Sequence, residues 1–266
     1  PKVTGRPIHS YSLARLGFWS LAVIMPWAGM QKLTGAPIPY FIPYVGAAAT
    51  ILFFVPAFTA AVNILRTATA DPEVANHSPA LRFTMAGLVG LIVMAVAAVF
   101  LNLPGTTLKL SQFSLSGYGF DILAIYGFFS FVMFGAIYFI VPRVTRREWL
   151  SRRLIKMHFF FSIYGIITIA LVAVFGGLQQ GIGQEAFDQP WQAAAERAIP
   201  YAWAITISWC FILFSNVFFF MHLAVMWLRL GRRSTHPTLL VSDHGHSPHG
   251  EEGDIDNCGP GTASAH

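Results

Sequence analysis

Charge is what this chain has least of. Asp, Glu, Lys and Arg together make up 11% of its 266 residues, against 55% hydrophobic ones. Soluble domains average about 25% charged residues, so an ordinary water-soluble domain is excluded. Cysteine is almost as scarce: Cys210 sits in an apolar run and Cys258 in a polar one, with no CxxC and no metal-ligand spacing, so neither a disulfide framework nor a zinc site is expected. Also missing are an internal repeat, a glycine-rich nucleotide-binding turn, a Ser-His-Asp set and a paired-carboxylate site. The first residues do not read as a charged segment, short apolar stretch and cleavage site, so no removable leader is expected.

What is present is long apolar sequence. The mean hydropathy is +0.57, and six apolar runs cover roughly residues 12–31, 40–65, 81–103, 118–142, 155–178 and 200–229. About 20 apolar residues cross the hydrocarbon of a bilayer as a helix. Backbone groups in lipid have no partner outside the segment, so continuous runs predict helices, and the lack of alternating polarity argues against a barrel. The predicted fold class is an all-α membrane protein with six transmembrane helices in residues 1–233.

The net charge of +5 carries little weight for nucleic acid, because the basic residues gather in short loops. Arg143, Arg146, Arg147, Arg152, Arg153 and Lys156 flank the fourth and fifth runs, Arg229, Arg232 and Arg233 follow the sixth, Arg66 and Arg82 bracket the loop after the second, and Lys2, Arg6 and Arg15 lie near the start. If the spans alternate, all fall on one side. The positive-inside rule makes that side cytoplasmic, with both termini inside. Residues 234–266 turn polar and His/Gly-rich, with His244, His246 and His249, and read as a disordered, solvated tail rather than a metal site.

Polar residues within or beside the apolar runs are the candidate functional groups. Lys32 reads as a lysine snorkelling at the interface and Asp121 as a carboxylate near enough to the headgroups to stay hydrated. A sharper alternative pairs the two, with Lys109 as a competing partner. His158 and His222 read as one interfacial and one packed histidine; if they faced each other they could ligate a heme. Asn63, Asn102 and Asn216 read as interhelical hydrogen-bonding groups. The aromatic run Val217, Phe218, Phe219 and Phe220 reads as lipid-facing or interhelical packing surface.

Several stretches then carry a family resemblance. Residues 128–142 read Phe-Phe-Ser-Phe-Val-Met-Phe-Gly-Ala-Ile-Tyr-Phe-Ile-Val-Pro and resemble helix X of the catalytic subunit of cbb-type cytochrome c oxidases. Residues 154–159, Leu-Ile-Lys-Met-His-Phe, resemble the start of helix XI. Phe18 and Trp19 followed by Pro26, Trp27, Ala28 and Gly29 resemble helix VII, and Leu101, Asn102, Leu103 and Pro104 with Lys109 resemble the end of helix IX. Order and spacing agree over residues 8–232, and the nitric oxide reductase large subunit is a related family with a similar pattern. The resemblance implies helices VII to XII of a twelve-helix heme-copper oxidase subunit. Helices I to VI, which carry one axial ligand of the low-spin heme and one copper histidine in that family, have no counterpart among these runs.

The resemblance also implies which positions depart from the family. Gln31 and Lys32 stand where it has two adjacent copper-binding histidines, Met25 where it has the helix VII tyrosine, Phe120 and Ile122 where it has the His-x-His of helix X, and Asn102 where it has a glutamate. Phenylalanine and isoleucine offer no lone pair, and lysine must lose a proton before it can bind metal. No catalytic, cofactor-binding or metal residue is therefore assigned. The implied function is a non-catalytic subunit of a respiratory oxidase-like electron-transfer complex in a bacterial inner membrane. It would hold no cofactor in this chain, and its partners would be lipid and other membrane subunits, including heme-bearing cytochromes. Two alternatives stay open: half of a split cytochrome c oxidase or nitric oxide reductase with ligands from another chain, and a proton or ion conduit through Asn102, Lys109, Lys32 and Asp121.

Overall fold

Caps, prolines and glycines set where the helices begin and end. A computed structural model describes residues 4, 7–70, 78–149, 151–186, 188, 190–228 and 230. Helix α1 (Tyr11–Ile24) starts at Ser10, whose hydroxyl accepts from the Leu13 amide at 3.3 Å. It stops well before residue 31, where the apolar run ends. Pro26 has no amide to continue the helix, and Gly29 takes φ 92°, a left-handed conformation open to glycine at no steric cost. The chain then makes a 3₁₀ turn over Met30–Leu33. Fourteen residues reach about 21 Å at 1.5 Å each, short of the roughly 30 Å of hydrocarbon. The expected six full spans are thus five helices long and apolar enough to cross a membrane and one shorter apolar helix among the described residues.

Helix α2 (Phe41–Thr69) is interrupted at Phe53, because Pro56 cannot donate back to the preceding turn. Helix α3 (Pro79–Leu101) opens with Ser78 as cap and Pro79 in the first turn, where its missing amide leaves nothing unsatisfied. A short helix over Thr107–Ser111 precedes α4 (Leu115–Thr145), whose middle, Leu123–Ser130, widens into a π-helix. Helices α5 (Arg152–Gln184) and α6 (Trp191–Trp227) are the last of the described helices. The polar tail expected over 234–266 lies outside the described residues.

Each long helix packs mainly on the one before and the one after it, so the six form an open arc. Lipid removes the hydrophobic drive between helices, and close packing of small residues takes its place. Along α5 and α6 the pairs run in one antiparallel register: Gly183 against Ala194, Gly176 against Tyr201, Gly165 against Ile212, and the Ser162 hydroxyl on that of Ser215. At the other end of the arc Asn63 binds α2 to the cap of α1, its Oδ1 accepting from the Ser10 amide and its Nδ2 donating to the Ser10 carbonyl, both at 2.9 Å. This is the interhelical role expected of it. Asn102 instead donates to Ala98 O of its own helix at 2.8 Å, and Asn216 is exposed.

An aromatic core binds α3 to α6. Phe83 of α3 is fully buried among Phe131 and Tyr138 of α4 and His158 and Phe159 of α5. Phe219 reaches in from α6 against His158, while Phe220 one residue on is exposed, the two-sided use expected of that aromatic run.

Candidate functional site

The loop after α1 and the start of α4 come together at one end of the arc. The Lys32 ammonium donates to both carboxylate oxygens of Asp121, at 2.7 and 2.8 Å, joining residues 89 apart in sequence. The sharper alternative, a pairing of the two, is the one the structure shows. Lys109, the competing partner, instead lines an adjoining cavity of about 310 Å³ with Tyr40 and Tyr44.

Beside the ion pair is a cavity of about 240 Å³ whose walls include Gln31, Lys32, Asn102, Gln112 and Phe120. Four of the positions singled out by the family resemblance therefore share one wall. The other two do not: Ile122 is buried in the hydrophobic core and Met25 is largely exposed. Gln31 is buried and held fast. Its Oε1 accepts from the Thr50 hydroxyl at 3.0 Å, and its carbonyl accepts from Gln112 Nε2 at 2.8 Å and from the Thr34 hydroxyl at 2.8 Å. Thr50 also accepts from the Gly29 amide at 3.1 Å. Gln112, Thr50 and Thr34 carry no recognisable motif; only their roles as partners of Gln31 mark them.

The donor set of this cavity does not fit the copper and heme that the family resemblance implies. The Gln31 oxygen is engaged, the Lys32 amine is taken up by both Asp121 oxygens, and Phe120 has no lone pair. No group of three His, Cys, Asp or Glu side chains with metal-ligand placement occurs among the described residues. Its volume also falls below the roughly 300–1,000 Å³ typical of sites for larger organic ligands.

The side chains of Lys32 and Asp121 are 57% and 47% exposed. If water covers that surface, a double-mutant cycle with Lys32→Ala and Asp121→Ala should give a coupling of about 0.2–1 kcal/mol. A coupling of about 3 kcal/mol or more would instead mark a pair shielded from water by lipid or a partner.

At the other end of the bundle His158 of α5 and His222 of α6 are both fully buried, so neither has the solvent exposure expected of an interfacial histidine. His158 Nδ1 shares a 2.8 Å hydrogen bond with the Tyr138 hydroxyl. Trp149 Nε1 donates to the Tyr138 carbonyl at 3.3 Å. Phe83, Phe134 and Phe219 pack on the His158 ring with centroids at 4.9, 4.6 and 5.0 Å. Rings this close leave no slot for a porphyrin plane, so a heme between the two histidines does not fit.

Comparison with known proteins follows the same lines. The pattern of the family described as Cytochrome C and Quinol oxidase polypeptide I matches residues 1–211. The cytochrome c oxidase subunit 1 homolog of Agrobacterium tumefaciens (strain T37) is 29% identical over 198 residues, covering 71% of this chain and 35% of that protein. The bacteroid cytochrome c oxidase subunit 1 homolog of Bradyrhizobium diazoefficiens is 29% identical over 196 residues, covering 70% and 34%. The Cbb3-type cytochrome c oxidase subunit CcoN1 of Stutzerimonas stutzeri is 26% identical over 183 residues, covering 68% and 38%. The chain spans about a third of the length of the curated relatives it matches.

Proposed function

Because the chain belongs to the Cytochrome C and Quinol oxidase polypeptide I family, we propose that it serves as a non-catalytic membrane subunit of a respiratory oxidase-like electron-transfer complex. In this reading it keeps the helix packing of subunit I, holds no redox cofactor of its own, and packs against heme-bearing membrane subunits. The observation that carries the proposal is the Lys32–Asp121 ion pair. It lies where the resemblance puts the copper histidines and the heme-binding stretch of helix X. The Lys32 amine held by Asp121 there donates to both carboxylate oxygens and offers no lone pair to a metal. The basic loop between α4 and α5 would face the cytoplasm.

The test is gentle purification of the complex, followed by identification of its subunits and a heme spectrum of both the complex and the isolated chain. Heme-bearing partners should copurify, and the isolated chain should show no heme absorption. Stoichiometric heme in the isolated chain would overturn the proposal.

A second reading has one observation in its favour. The helices form an open arc, against which the other half of a split oxidase or nitric oxide reductase would pack. It requires the metal ligands to come from another chain. Oxygen or nitric oxide reduction that is lost on removing this chain from a reconstituted complex, and regained on adding it back, would favour that reading.

A further inference from the structure

The His158 and His222 pair poses a hydrogen-bonding problem unconnected with the Lys32–Asp121 end. Two neutral imidazoles have two N–H donors and two lone-pair nitrogens between them. One of these four atoms is used, His158 Nδ1 with Tyr138. Among the described residues His158 Nε2 and both nitrogens of His222 have no hydrogen-bond partner, although both rings are fully buried. The backbone of Ser151 approaches the His222 ring but stays outside hydrogen-bond geometry. Buried polar atoms are nearly always satisfied, and three left open in one aromatic cluster call for a guest.

Both rings lie at the α5–α6 interface. His158 stands on α5 level with Phe219 of α6, which stacks on it, and His222 follows Phe219 by one helical turn. Trp149 packs on both Tyr138 and His222, closing the cluster on that side.

The open atoms decide the chemistry of the guest. The Tyr138 hydroxyl has His158 as its hydrogen-bond partner. Donating to Nδ1 satisfies it and leaves His158 protonated at Nε2. What remains is one N–H on His158, and one N–H and one lone pair on His222. A bare cation would meet N–H groups, and the flanking segment carries Arg143, Arg146, Arg147, Arg152, Arg153 and Lys156 against Glu148 alone. An anion accepts but cannot donate to the His222 lone pair. Water does both, and is neutral.

We propose that a bound water bridges His158 and His222 and completes a hydrogen-bonded chain running from Tyr138 through both imidazoles to the loop before α5. Tyr138 O–H donates to His158 Nδ1, His158 Nε2–H donates to the water, and the water donates to one His222 nitrogen. The other His222 nitrogen carries its N–H toward Ser151.

The test uses the full chain in lipid nanodiscs with ¹⁵N-labelled histidine. Both imidazoles should be neutral, with the His158 proton on Nε2, and that proton should exchange with solvent. In His222→Phe its exchange should slow by about tenfold or more, since one link of the chain is gone, whereas His222→Gln, which still binds water, should keep a rate near that of the unaltered protein. The proposal is overturned if the His158 proton sits on Nδ1, if His222→Phe exchanges as fast as the unaltered chain, or if the imidazoles hold a metal ion. The tautomer is read on the unaltered protein, so it decides even if a variant fails to fold.

Discussion

Gly177→Leu should abolish the native bundle. Gly177 of α5 faces the backbone nitrogen and hydroxyl of Ser116, at the first turn of α4, so closely that any Cβ would overlap them. The obstacle is backbone, which cannot rotate away as a side chain would. One turn on, Gly181 lies equally tight against the backbone of Leu110, so α5 cannot shift along its axis to make room. Overpacking a well-packed interface usually costs about 1–3 kcal/mol. Here the whole α4–α5 contact must open, and the expected loss is about 3 kcal/mol or more. Unfolding midpoints in mixed detergent and SDS, together with the size-exclusion profile, provide the measurement. A variant with the midpoint and profile of the unaltered protein would show that the two helices do not approach as described.

Phe83→Ala should cost about 3–5 kcal/mol in the same assay. Phe83 is fully buried, stacked on Tyr138 at 5.0 Å and edge-on to Phe159 at 5.1 Å. In a bilayer the loss is chiefly of dispersion contacts and ring geometry, since lipid offers the freed surface no aqueous penalty. Phe83→Leu keeps most of the volume and should cost less than about half as much. Phe100→Ala is the control: Phe100 lies at the end of the same helix, is 62% exposed, and should change stability by no more than about 0.5 kcal/mol. Equal losses at positions 83 and 100 would remove the aromatic cluster as the anchor of the fold.

These two residues also mark how far the sequence could be read. Phe83 and Gly177 lie in apolar runs whose helical character was plain from length and hydropathy, yet nothing local distinguishes Phe83 from Phe100. The end of α1 was misplaced because apolarity continues to Met30 while Pro26 and Gly29 end the helix. Lys32 and Asp121 were each visible as unusual, but two separate readings suited them better than a bond across 89 residues. His158 and His222 drew attention as intramembrane histidines, but the facing register of α5 and α6, which buries both, is carried by glycines and serines spread along the two helices. Gln112 and Thr50, which secure Gln31, carried no signal at all.

Run length and charge scarcity were enough to establish a helical membrane protein, because lipid imposes the same demand on every backbone amide and so makes local composition decisive. Order and spacing along the chain were enough to point to the oxidase family. Pairing was decided only by the tertiary structure. Whether Lys32 is a free interfacial cation or the partner of Asp121, and whether two histidines are wetted or enclosed, depends on which helix faces meet. Those faces are selected by small residues and close contacts between distant segments, and such contacts leave no periodic trace in the sequence.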